Sequence, residues 1–156
     1  MRIYLIRHGD SVPQELAGSD RDRWLSARGR EAARILARLL REQRVEPDCV
    51  MSSPLPRAVQ TAELLASGLD FLGELASRRF LEPGAQPEVA GEAIVRAGSA
   101  VLVVGHEPSI SALAAYLLGR PAFPPFRTAQ CYAIEDRKPA FTARADIDQV
   151  QPYFIE

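Results

Sequence analysis

The chain has 156 residues, 47% of them apolar and 25% charged, which fits one globular domain able to bury a core without disulfides or metals. A formal net charge of -1 argues against a nucleic-acid surface, and no apolar run reaches the ~20 residues that a membrane span needs. Met1-Arg2 leads straight into a strand with no signal-peptide pattern, so the expected setting is cytoplasmic.

Ile3-Tyr4-Leu5-Ile6 is apolar at consecutive positions, the pattern of a parallel strand covered on both faces, and it delivers Arg7-His8-Gly9 to its end. Ser11 to Trp24 is polar and reads as a long rim loop, in which the arginines of Asp20-Arg21-Asp22-Arg23 either touch substrate or face water. Ser26 caps a helix whose Ala32, Ile35, Leu36, Leu39 and Leu40 recur at three and four residues, over about four turns. Glu46-Pro47-Asp48 ends it, and Cys49-Val50-Met51 makes a second strand. Ser52-Ser53-Pro54-Leu55-Pro56-Arg57 then sets a capping serine before a proline in a first helical turn, with Ala58, Val59, Ala62 and Leu65 on one face. Arg57 in that first turn would favour an anion, because unpaired N–H groups and the helix dipole point the same way. Read alone, a first-turn arginine is an ordinary surface arginine.

Between Gly68 and Gly98 the pattern is weaker. Arg79-Phe80-Leu81 suggests a short strand, Glu82-Pro83-Gly84 a turn, and Glu88 to Ala97 a helix with Val89, Ala93 and Ala97 inward. These thirty or so residues leave no room for a cap insertion. The strongest strand, Ala100 to Val104, runs into Gly105-His106-Glu107-Pro108, and the proline opens a helix carrying Ile110, Leu113, Ala114, Leu117 and Leu118. Gln130 to Glu135 and Ala140 to Ile147 read as an antiparallel hairpin closing one sheet edge. Cys49 and Cys131 are read as buried free thiols, since neither has disulfide-like or metal-ligand spacing. The predicted fold is α/β: a single three-layer domain over residues 1–156, with a mostly parallel central sheet, helices on both faces and the C-terminal hairpin.

In such sheets ligands bind beyond the carboxyl ends of the parallel strands. Three strands end there in candidate groups: Arg7-His8, Ser53 to Arg57, and His106. Two histidines and two arginines suit a tetrahedral oxyanion, with no metal or other cofactor expected. A neutral imidazole can take a phosphoryl group covalently and pass it to water. His8 is the candidate nucleophile, because Arg7 adjoins it at the strand tip. His106 would donate to the phosphoryl oxygens, Arg7 and Arg57 would clamp them, and Gly9 permits close backbone approach.

Leu5-Ile6-Arg7-His8-Gly9, the stretch from Ser52 to Ala62, and Val104-Gly105-His106-Glu107 resemble the three signature segments of the histidine phosphatase (phosphoglycerate mutase-like) superfamily. Leu25-Ser26-Ala27-Arg28-Gly29 resembles the segment opening that family's first helix. The resemblance spans most of the chain. It implies a phosphohistidine intermediate on His8, a phosphate pocket of Arg7, Arg57 and His106, and no required metal. The short length and missing cap resemble the SixA-type phosphohistidine phosphatases, whose partners are phosphorylated histidine-containing signalling proteins; compact members acting on small phosphate esters are the alternative. A phosphate-binding signalling module with weak turnover is a third reading, and retention of His8 argues against it. No nucleic acid or membrane partner is expected, and the chain is expected to be a monomer. Ester-cleaving branches carry a carboxylic acid for the leaving group. Glu82 and Glu107 are the candidates, although each also reads structurally, Glu82 as a turn residue and Glu107 as a cap for the helix at Pro108.

Overall fold

The computed structural model describes residues 1–152. The apolar run after Arg2 becomes β1 (Arg2–Arg7), in which Leu5 and Ile6 are wholly buried. Beyond it, the rim loop holds a single helical turn, α1 (Gln14–Ala17), and α2 (Ala27–Glu42) starts where Ser26 Oγ accepts the Gly29 N–H at 3.0 Å. There follow β2 (Cys49–Ser52), α3 (Pro56–Gly68), β3 (Leu75–Ser77), α4 (Pro87–Val95), β4 (Ala100–Gly105), α5 (Ser109–Leu118), β5 (Gln130–Glu135), β6 (Lys138–Arg144) and β7 (Gln149–Pro152). All seven strands join one sheet in the order β3-β2-β4-β1-β5-β6-β7. The first four in that order run parallel, and the last three are antiparallel additions.

Alternation along the parallel strands divides the core. Tyr4, Ile6, Val50, Leu102 and Val104 face α2 and α3, meeting Leu36, Leu40 and Leu65. Ile3, Leu5, Met51, Val101 and Val103 face the opposite layer, where Ile94, Ile110 and Leu113 come from α4 and α5. Each large apolar side chain so buried contributes about 1.5–3 kcal/mol. The result is a three-layer α/β fold, as the composition of the strands predicts.

Several expectations change in detail. Helix α2 ends at Glu42, before Pro47, because Arg44 turns into the left-handed region at φ 56°. Strand β3 is Leu75–Ser77, while Arg79–Leu81 is a 3₁₀ turn, since Leu81 points inward at its end. The buried face of α4 is Ala90, Gly91 and Ile94; Val89 is 53% exposed, one position out of phase with the predicted face. Ser53 does not cap α3, whose N-cap is Leu55 with Pro56 in the first turn. Cys131 is buried and Cys49 only partly so, and both are free thiols. The hairpin of β5 and β6 pairs with β1, but the edge belongs to β7, whose polar, largely exposed residues gave no strand signal.

Candidate active site

Sheet register brings the candidate groups together. Arg7 pairs with Gly105 across β1 and β4, so His8 and His106 stand one residue beyond the same rung. Ser52 pairs with Val104 across β2 and β4, which puts Ser53 beside them. The two imidazoles have ring centroids 5.0 Å apart. Arg57 reaches His8 from the first turn of α3, with its Nε 3.3 Å from His8 Nε2. Burial of Arg57 to 5% exposure is what separates it from an ordinary surface arginine. Arg7 donates from Nη1 to the Phe126 carbonyl at 3.0 Å, while its buried Nε has no partner among the described residues. Gly9 is held by its N–H to Thr61 Oγ1, and Thr61 in turn donates to the Arg57 carbonyl. That pair couples the end of β1 to the first turn of α3. A Cβ on Gly9 would lie 2.8 Å from the Gly29 carbonyl, so the chain needs glycine there for the approach of α2.

The hydrogen bonds fix the proton on His8 and suggest the one on His106. His8 Nδ1 lies 2.7 Å from the Gly9 carbonyl, which only accepts, and Nε2 faces the Arg57 guanidinium, which only donates. His8 therefore carries its proton on Nδ1 and its lone pair on Nε2. Burial pushes its pKa down to about 4, with the Arg57 and Arg7 charges adding to the effect against the pull of the Gly9 carbonyl. His106 Nε2 lies 2.7 Å from Ser53 Oγ, and that oxygen already accepts the Leu55 N–H at 3.2 Å. We assign the serine hydroxyl as the donor to Nε2, which places the proton of His106 on Nδ1. That buried nitrogen has no partner among the described residues. Burial, with the His8 and Arg57 charges behind it, pushes the His106 pKa to about 3. At neutral pH the site holds two neutral imidazoles and two guanidiniums, one lone pair and several donors converging on a pocket of about 340 Å³.

Arg7, His8, Arg57, His106 and Glu107 line that pocket together with Asp10, Ser11, Asp20, Arg23, Pro83 and Thr128. Glu82 does not line it: its carboxylate turns to Arg21 at 3.3 and 3.4 Å, and Pro83 faces the pocket instead. Glu107 does, but its oxygens are engaged by Ser111 Oγ at 2.8 Å and the Phe126 N–H at 3.2 Å, tying α5 to the loop before β5. Asp10 is bonded to Ser26 and paired with Arg28. Asp20 accepts from Arg23 and from Arg57. Of the rim arginines, Arg23 lines the pocket and Arg21 pairs outward with Glu82. Ser53, Thr61 and Asp20 are site residues that the sequence reading missed. Ser53 was visible as a capping serine and as the start of the Ser53 to Arg57 strand end, without a role in the site, and the partners of all three lie between 37 and 53 residues away. Among the described residues, no group of three His, Cys, Asp or Glu side chains is placed to hold a metal ion, and no helix is long and apolar enough to cross a membrane.

The chain is similar to known proteins. Phosphohistidine phosphatase SixA of Escherichia coli is 32% identical over 132 residues, covering 82% of this chain and 81% of its own. An uncharacterized protein of Mycobacterium tuberculosis is 40% identical over 116 residues, covering 72% and 69%. The structure of the protein histidine phosphatase SixA complexed with tungstate superposes with a TM-score of 0.86 at 25% identity, over 96% of this chain and 100% of that one. Residues 3–81 match the model of the histidine phosphatase superfamily (branch 1), a segment that runs from β1 through α3 to the 3₁₀ turn before Glu82. With strand-end histidines, the α3 arginine and this match in agreement, the chain belongs to the histidine phosphatase superfamily.

Proposed function

We propose that the protein is a metal-independent phosphohistidine phosphatase that works through a phosphoryl group on His8 Nε2 and acts on a histidine-containing signalling protein. In the first step the His8 lone pair attacks phosphorus, the N–P bond of the substrate breaks, and the substrate imidazole leaves with its electron pair. Because the His8 proton stays on Nδ1 against the Gly9 carbonyl, the phosphorylated ring is cationic and later departs as a neutral imidazole. Water then attacks phosphorus, Nε2 recovers its lone pair, and both water protons leave with the phosphate. Arg7 and Arg57 neutralise the equatorial oxygens and the His106 Nδ1–H donates to them, fixed dipoles aimed at the charge of the transition state.

The observation that carries the substrate class is the state of the carboxylates. An ester needs a proton for its alkoxide as the bond breaks, and Asp10, Asp20, Glu82 and Glu107 are each engaged by other donors. Phosphohistidine bears its proton on the ring already, so it leaves without an acid from the protein. Glu82 and Glu107 are accordingly read as positioning groups. The name of the E. coli relative, phosphohistidine phosphatase, supports the same substrate class. We read the chain as one uncapped, monomeric, cytoplasmic domain, whose open site suits a side chain presented on a protein surface.

The test compares wild type with His8→Ala on a phosphorylated histidine-containing domain and on a panel of sugar and nucleotide monophosphates. Expected are rapid release from the protein substrate, slow release from the esters, and a trapped radioactive phosphoryl group on wild type alone. Equal rates for His8→Ala overturn the mechanism, and faster specific turnover of one ester overturns the substrate class.

A further inference from the structure

The rim loop places an anion on the phosphate clamp. Arg57 Nη1 donates to the Asp20 carbonyl at 2.7 Å, and Arg57 Nη2 lies 3.4 Å from Asp20 Oδ2. The same guanidinium turns Nε to His8 Nε2, so the Asp20 carboxylate shares the Arg57 fork with the attacking nitrogen. Its other oxygen accepts from Arg23 Nη1 at 3.2 Å. The arrangement is asymmetric: Arg57 is buried, while the Asp20 side chain is 57% exposed. The backbone contact at the Asp20 carbonyl does not depend on the carboxylate, which Arg57 and Arg23 share. Donors on both oxygens hold Asp20 ionised, the Arg23 hydrogen bond contributing most to its lowered pKa.

We infer that Asp20 is a specificity-determining residue, a fixed negative charge at the pocket mouth that disfavours free phosphate and phosphate esters relative to a phosphoryl group carried on a protonated imidazole. This rests on the proposed phosphohistidine activity. Inorganic phosphate and monoesters approach as dianions near neutral pH, and must displace or abut a carboxylate already seated on Arg57. Phosphohistidine brings a cationic ring through the same mouth, which the displaced carboxylate attracts. Each unit-charge pair at roughly 4 Å in water changes binding about fivefold, so one carboxylate beside a dianion amounts to about tenfold after screening. The charge also helps the product leave, since it repels a freed phosphate beside Arg57.

Asp20→Asn keeps the shape, the backbone acceptor and one oxygen for Arg23, while it removes the charge and the oxygen that accepts from Arg57 Nη2. The test measures inhibition by inorganic phosphate, and kcat/KM for an aryl phosphate and for a phosphohistidine peptide. Asp22→Asn serves as control, since Asp22 sits in the same loop, bonds Ser19, and is exposed. Expected for Asp20→Asn is phosphate inhibition about tenfold tighter, with selectivity for phosphohistidine over the aryl ester falling by a similar factor, and Asp22→Asn unchanged. If Asp20→Asn leaves both within twofold of wild type, or if Asp22→Asn shifts them equally, the assignment is overturned. Wild type that releases no phosphate from the peptide refutes instead the activity on which it rests, a result seen before any variant is compared.

Discussion

His8 and His106 are the only histidines in the sequence, and both are buried neutral, so their titration should dominate the stability of the fold in mild acid. In the unfolded chain each takes up a proton near 6.5; in the native state they do so near 4 and 3. Between these values the unfolded state binds more protons, so stability rises with pH and is lost as pH falls below about 6.5. At pH 5 the loss is roughly 2 kcal/mol per histidine, or roughly 4 kcal/mol for both, against a typical total of about 5–15 kcal/mol. The window is clean. Asp10 and Asp20 have native pKa values below the ordinary 3.8, so their contribution is intact until the pH drops under that value. Urea unfolding at pH 7 and pH 5 checks this, with an expected fall in midpoint of about 2 M for a protein of this size. The variant carrying His8→Gln and His106→Gln removes the titration and should hold a level midpoint across the same range. A level midpoint in wild type, or an unchanged slope in the double variant, refutes the burial argument.

Three further outcomes follow from single contacts. Ser53→Ala leaves His106 Nε2 and the Leu55 N–H unpaired and frees the imidazole proton to move to Nε2; stability should fall by about 1–3 kcal/mol in urea titration, and nitrogen NMR of His106 should show the Nε2–H tautomer appearing. Glu107→Gln keeps acceptors and donors for Phe126 and Ser111, and its kcat should stay within about threefold of wild type; a loss of about a hundredfold confined to ester substrates would restore Glu107 as their general acid. Gly29→Ala drives a Cβ into the Asp10 carbonyl, so about 1–3 kcal/mol of stability should be lost by thermal or urea unfolding, and an unaffected protein would show that α2 can slide away from the Gly9 loop.

What the sequence makes legible is whatever a local period or a strand end encodes. Continuous apolar runs at Ile3–Ile6 and Val101–Val104 can be buried only by helices on both faces, and that requirement fixes the three layers. Short elements with few inward residues escape the same logic. Strand β3 contributes three residues, none of them buried, and α4 shows a face set by where Ala90 and Ile94 meet α5, which the isolated period of Glu88 to Ala97 does not specify. β7 packs a single apolar residue, Val150, against the core and otherwise takes its place through its ladder with β6.

The site divides the same way. Arg7, His8, Arg57 and His106 are visible because each sits where a strand gives way to a helix or loop, and the register of β1, β4 and β2 then needs no further instruction to gather them. Their protonation is a different matter, since it depends on who stands opposite. The lone pair of His8 exists on Nε2 only because the Gly9 carbonyl holds the other proton, and the donor of His106 is set by Ser53 on the neighbouring strand. Sequence reading therefore names the groups proposed to take the phosphoryl, whereas the proposed choice of leaving group rests on side chains whose partners come from elsewhere in the chain. Glu107 illustrates the point: it lines the pocket as an acid would, yet its bonds to Ser111 and Phe126 occupy it in holding α5 against the loop before β5. With the carboxylates so engaged, the chemistry proposed for this site is that of a leaving group that arrives already protonated.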